Sequence, residues 1–188
     1  MSKKNTIILL ADGAEEMEAV IIIDILRRAE IDVTIASIND RECIECSRNV
    51  KICADAKLEA VQHEQYDAVI LPGGLAGSKA LSNSKKVGDL LKKQEAEGRL
   101  IAAICAAPTA LKAHGIGFGK KITSYPSMKD QLIEDYEYLE DAVVTDGNII
   151  TSRGPATACA FGLTIVEKLL NKVSALNVAK GMLYIDYV

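Results

Sequence analysis

The sequence predicts an α/β fold, a doubly wound and mostly parallel sheet sandwiched by helices, with a small β-hairpin excursion. Three observations carry this reading. Short apolar runs rich in β-branched residues recur along the chain, stretches with helical spacing lie between them, and several runs stop at Gly or Pro. A run apolar on both faces is a strand covered on both sides, and strands alternating with helices build a parallel sheet.

The elements follow in order. Residues 6–11 (TIILLA) read as a buried strand and 15–29 as a helix, with Ile22, Ile25 and Ala29 on one stripe. Residues 32–38 (DVTIASI) form a second strand. Residues 42–53 read as a hairpin excursion and 58–62 as a brief helix. Residues 67–71 (DAVIL) are a strand stopped by Pro72-Gly73-Gly74, and 85–97 an amphipathic helix. Residues 100–104 (LIAAI) are a strand running into Cys105, and 107–114 a short helix ended by Gly115. Asp146-Gly147 between 142–145 and 148–152 is a hairpin signal. A last helix covers 157–170, with Pro155 near its start, where proline is tolerated. There is no repeat, linker or low-complexity segment, so residues 1–188 are expected to form a single domain.

Composition narrows the function. The chain has 188 residues, 49% hydrophobic and 26% charged, with a net charge of −4 and no basic stripe to neutralise phosphates. Constitutive nucleic-acid binding is therefore not expected. No apolar run approaches the ~18 residues of a membrane span, and the first run is too short for a signal-peptide core. The expected location is cytoplasmic, with mitochondrial and nuclear fractions compatible. Five cysteines without a scaffold rhythm read as reduced thiols. Cys43-x-x-Cys46 lacks the strand–CxxC–helix context of a dithiol enzyme. With only His63 and His114 besides, no metal site is expected. The Gly73-Gly74 loop is too short for nucleotide phosphates, so no cofactor is expected.

In such a sheet ligands sit beyond the carboxyl ends of the strands. There, Ala103-Ile104-Cys105-Ala106-Ala107 has the small-x-nucleophile-x-small pattern that a sharp strand-to-helix turn demands. The following helix is expected to favour thiolate and lower the Cys105 pKa. The Ala106 N–H, with a second donor from Gly73 or Gly74, is placed to hold an oxyanion. Glu18 heads the apolar stripe of the first helix, so its carboxyl is expected to be desolvated and its pKa raised. Glu15 and Glu16 are expected to be more exposed and to serve only the helix terminus. An inert buried cysteine and a helix-start glutamate are the plain alternatives.

Four segments together resemble the DJ-1/PfpI family, and more narrowly its animal, Parkinson-disease-associated branch: GAEEMEAV (13–20), LPGG (71–74), IAAICAAPTAL (101–111) and TSRGPATA (151–158). The resemblance implies a flavodoxin-like sandwich, a homodimer, and a reactive Cys105 paired with a protonated Glu18. It implies cysteine-dependent handling of reactive dicarbonyls: a glutathione-independent glyoxalase converting methylglyoxal to lactate, or a deglycase acting on glycated adducts of protein or nucleotide. The alternative it carries is a redox sensor or chaperone in which Cys105 becomes sulfinic acid; a binding protein without chemistry is a third reading. Subunit contacts would fall at Met17, Arg28, Arg48 and Cys53, and Cys46 and Cys53 match other oxidation-prone thiols. Two departures bear on mechanism. Tyr125 stands where many relatives carry His, and a phenol there orients substrate rather than acting as a base. Ala106 follows the cysteine where protease-like members carry His, which removes the proteolytic reading. His114, near the end of a short helix, is read as a helix C-terminal residue.

Overall fold

The computed structural model describes residues 3–185. In chain order the elements are β1 (Asn5–Leu10), α1 (Glu16–Arg28), β2 (Asp32–Ser37), β3 (Cys43–Glu45), β4 (Lys51–Cys53), β5 (Ala56–Lys57), α2 (Leu58–Val61) and β6 (Ala68–Leu71). They continue with α3 (Leu75–Asn83), α4 (Lys85–Ala96), β7 (Leu100–Ile104), α5 (Pro108–His114), β8 (Lys121–Ile122) and β9 (Glu137–Tyr138). The chain then runs through β10 (Val143–Asp146), β11 (Ile149–Ser152), α6 (Ala158–Leu169) and α7 (Lys172–Gly181).

The central sheet has seven strands in the order β10-β11-β7-β6-β1-β2-β5. Only β10, paired with β11, runs antiparallel; every other neighbouring pair is parallel. Residues of β1 alternate between two cores, as the pleat requires. Ile8 and Leu10 pack with Ile22, Ile25 and Phe161 of α1 and α6 on one face. Ile7 and Leu9 pack with Leu90, Leu91 and Leu111 of α4 and α5 on the other. Each such fully buried aliphatic side chain stabilises the fold by about 1.5–3 kcal/mol relative to exposure. That two-sided burial is why β6, β7 and β1 from Ile7 onward are apolar.

From β1 the chain winds toward β2 and later returns on the opposite side through β6 and β7. The strand order therefore reverses between β1 and β6, where an open α/β sheet forms its ligand crevice. The loops after β1, β6 and β7 meet there.

The strands and helices read from the sequence are present within a residue or two. The hairpin turn is shifted: Asp146 pairs with Ile149, so Gly147 and Asn148 form the turn. Three further features escape the period-based reading. α3 follows Pro-Gly-Gly directly and is rich in small residues. β8 pairs with β9 over two residues only. α7 is announced by a cap, the Asn171 side chain accepting from Ser174 N at 2.9 Å.

Candidate active site

Cys105 sits at a sharp elbow between β7 and α5 with φ +65. A non-glycine residue there is strained by roughly 1–3 kcal/mol and persists only where its surroundings hold it. Both of its backbone groups are held. Its N–H donates to Ser152 O at 3.0 Å, and its carbonyl accepts from Tyr125 N at 2.8 Å. The flanking Ala106 and Ala107 are buried, as close passage of the chain requires, and Pro108 opens α5.

Glu18 is fully buried on the first turn of α1. Its Oε2 accepts from Gly73 N at 2.7 Å, while Oε1 is buried without a partner at normal hydrogen-bond geometry. Burial pushes its pKa up from 4.5 to about 7; the Gly73 N–H and the adjoining Cys105 thiol pull the other way, and the Glu15 charge adds to the rise. The desolvated carboxyl read from the α1 stripe is thus present.

The expected low-pKa thiol is not. Burial, then the Glu18 charge, pushes the Cys105 thiol up to about 12. The backbone N–H groups of Gly74 and Ala106 act in the opposite direction and favour the charged sulfur without prevailing. The sequence argument weighed the helix terminus but not the cost of placing a second negative charge beside an ionised Glu18.

The glycines after β6 divide their tasks. A Cβ on Gly73 would come within 2.5 Å of Cys105 Cβ and 2.8 Å of Glu18 Oε2, so only glycine permits this approach. Because its N–H is engaged by Glu18, Gly73 is not available as the expected oxyanion donor. Gly74, at φ +86, turns its N–H toward the sulfur instead.

Cys105 opens onto a cavity of about 750 Å³ lined also by Gly74, Ala106, Tyr125, Arg41 and Arg48. Its far wall is the β3–β4 hairpin, to which the sequence analysis assigned subunit contacts and oxidation-prone thiols but no part in the cavity. Ser47 Oγ contacts Glu15 and Glu16 at 2.8 Å each, and Arg48 N donates to Glu16 Oε1 at 2.8 Å. Glu16 is therefore buried, contrary to expectation. Against the burial that would raise its pKa, its own backbone N–H, the Ser47 hydroxyl and the Arg48 and Val50 N–H groups hold it below the usual value. Arg41 pairs with Asp12 at 2.6 Å, and Glu45 N donates to Asp12 Oδ1 at 2.9 Å. The signal for this wall was the acidic GAEEME run facing the Arg-containing 41–48 segment, but only tertiary structure joins them.

The remaining residues singled out lie as follows. Tyr125 lines the cavity with its side chain 47% exposed. His114 faces away, its Nε2 2.9 Å from Leu81 O. Cys46 is buried, and burial followed by the Glu16, Glu15 and Asp12 charges pushes its thiol up to about 11, which opposes the oxidation expected of it. Cys53, Met17, Arg28 and Arg48 are exposed. Among the described residues no helix is long and apolar enough to cross a membrane, and no group of three or more His, Cys, Asp or Glu side chains could hold a metal.

The fold and site define a class: a flavodoxin-like α/β protein with a cysteine at a strained elbow beside a buried carboxyl. The DJ-1/PfpI family model matches residues 4–168, and the chain belongs to that family. It is 55% identical to the protein dj-1beta of Drosophila melanogaster, covering 96% of this chain and 97% of that one. It is 49% identical to the Parkinson disease protein 7 homolog of Danio rerio, over 99% of this chain and all of that one. A Caenorhabditis elegans relative named glutathione-independent glyoxalase DJR-1.2 is 41% identical over 89% of this chain and 90% of its own. Among solved structures, Drosophila melanogaster DJ-1beta superposes with a TM-score of 0.95 at 54% identity, covering 97% of this chain and 98% of that one. Oxidised Toxoplasma gondii DJ-1 gives 0.93 at 39% identity, covering 97% and 99%.

Proposed function

We propose that this protein is a glutathione-independent glyoxalase that converts methylglyoxal to lactate, with Cys105 as nucleophile and Glu18 as proton carrier. The observation that carries the proposal is the buried Glu18 carboxyl, poised at about 7 beside the strained Cys105 thiol. A carboxyl titrating near the working pH can both accept and return a proton. The family membership and the relative named as a glyoxalase support the same reading.

The chemistry proceeds from a neutral thiol and an ionised Glu18. Glu18 accepts the thiol proton as sulfur attacks the aldehyde carbon, and the N–H groups of Gly74 and Ala106 hold the oxyanion. Glu18 returns the proton to that oxygen, giving a hemithioacetal. Ionised again, it takes the proton from the former aldehyde carbon and delivers it to the neighbouring carbon, while the hydroxyl proton passes to the ketone oxygen. A lactoyl thioester results, and water cleaves it, releasing lactate and restoring the thiol. Tyr125 borders the substrate space and orients the ligand. The cavity exceeds the size of methylglyoxal, which accommodates glycated adducts of protein or nucleotide as further substrates of the same nucleophile.

A second reading is favoured by one observation, the unpartnered Oε1 of Glu18. A protonated carboxyl there would donate to a sulfinate formed on Cys105, and a solved relative is described as oxidised. A homodimer through Met17, Arg28, Arg48 and Cys53, on a surface with Met17 54% and Val50 48% exposed, accompanies both readings.

The test is lactate formation from methylglyoxal without glutathione by the reduced protein and by Cys105→Ser. Turnover in the first and none in the second supports the enzyme. No turnover in either, with addition of two oxygens to Cys105 under mild peroxide, replaces it by the sensor.

A further inference from the structure

The hairpin that walls the cavity carries two thiols that the chemistry above does not use. Cys43 on β3 is the direct cross-strand partner of Cys53 on β4, and both are exposed. The hydrogen bonds fix the kind of pair. Ala54 N donates to Glu42 O at 2.9 Å, one residue outside Cys53 and Cys43, and Cys46 N donates to Val50 O at 2.8 Å, one residue outside the Glu45↔Lys51 pair. In an antiparallel ladder those outer bonds bracket non-hydrogen-bonded pairs, so Cys43↔Cys53 is one, and Ile44↔Ile52 between them is the hydrogen-bonded pair. In a non-hydrogen-bonded pair the Cα atoms stand about 4.5 Å apart with both side chains on one face, within the roughly 4.4–6.8 Å that a disulfide spans. The Arg41 guanidinium also lies against this end of the hairpin, donating to Cys43 O at 3.0 Å.

We infer that Cys43 and Cys53 form a second redox site, a cross-strand dithiol that hydrogen peroxide closes to a disulfide. The Cys43 thiolate attacks the peroxide, the O–O bond breaks, and a sulfenic acid and water form. The Cys53 thiol then attacks the sulfenic sulfur, the S–S bond forms and a second water leaves. The two thiols give up two electrons and the peroxide accepts them. Thiol–disulfide exchange reverses the bond, and its exposure on a surface hairpin places it with the labile disulfides rather than the structural ones. The closed loop encloses residues 44–52, and with them Glu45, Cys46, Ser47 and Arg48 of the cavity wall. Oxidation thus restrains the wall facing Cys105 without touching Cys105 itself. Cys53 is also a proposed subunit contact, so a bridge between two subunits is the rival product.

The experiment oxidises the full-length reduced protein with stoichiometric hydrogen peroxide, alkylates the remaining thiols and digests with trypsin. Cleavage after Arg41, Arg48, Lys51 and Lys57 separates the two thiols, so the bridge joins peptide 42–48 to peptide 52–57. The expected result is that linked pair, with fragmentation assigning the bond to Cys43 and not Cys46, in monomer-sized protein on a non-reducing gel. Cys43→Ser and Cys53→Ser should each lose it, while Cys46→Ser keeps it. Reduction with dithiothreitol should restore both alkylatable thiols. A Cys53–Cys53 bridge between subunits with Cys43 free, or overoxidation of Cys53 without any bridge, overturns the inference.

Discussion

Replacing Glu18 by Gln removes one titrating group while keeping an acceptor for the Gly73 N–H, and its effect on stability has a definite pH dependence. In the folded protein burial raises the Glu18 pKa from 4.5 to about 7. Below 4.5 both folded and unfolded chains hold the proton, so the ionisation contributes nothing. Between the two values the folded state holds more proton than the unfolded one, and stability falls as pH rises. Above about 7 the cost is complete. At ~1.4 kcal/mol for each pH unit separating the values, it reaches the order of 3 kcal/mol. Glu18→Gln escapes this cost, so its stability relative to wild type should rise by that amount between pH 4.5 and 8. For a chain of this size each kcal/mol moves the melting temperature by about 2–4 °C. The assay is urea or thermal unfolding of both proteins at several pH values in that window, repeated in Cys105→Ser to exclude the thiol. A difference that does not change with pH would refute the assignment of Glu18 as the buried, near-neutral acid.

Other consequences concern catalysis and packing. Because Glu18 must be ionised to accept the thiol proton, kcat/KM for methylglyoxal should rise with pH through about 7, and Glu18→Gln should lower kcat by about 10²–10⁴-fold without that inflection. Gly73→Ala drives a methyl into Cys105 and Glu18, and should abolish turnover and destabilise the fold by about 1–3 kcal/mol, read by lactate assay and denaturation. Tyr125→Phe should change kcat/KM by less than about tenfold, because the half-exposed side chain orients substrate and carries no proton.

How far the sequence reveals this site depends on which forces are local. The elbow was legible because the close passage of β7, α5 and β6 leaves room only for Ala and Gly around Cys105. Glu18 was legible because i/i+4 spacing puts it on the buried stripe of α1. The central strands were legible because two-sided burial gives them unbroken apolar runs, as in β6 and β7. The thiol electrostatics were not, since they depend on the proximity of two residues far apart in the chain and on which of them ionises first. Nor was the burial of Glu16, whose partners Ser47 and Arg48 arrive on a hairpin from another part of the fold. α3 was hidden by its small residues, and β8 and β9 are too short to show any period.

The central claim is that Cys105 bonds covalently to the dicarbonyl while Glu18 carries the proton. Rapid acid quenching of the reduced protein during turnover of methylglyoxal, followed by intact mass and peptide mapping, tests it most directly. The account predicts a mass gain of one methylglyoxal unit on Cys105, absent in Cys105→Ser and diminished in Glu18→Gln, which lacks the carboxylate that takes the thiol proton. Lactate formed at the wild-type rate by Cys105→Ser would contradict it.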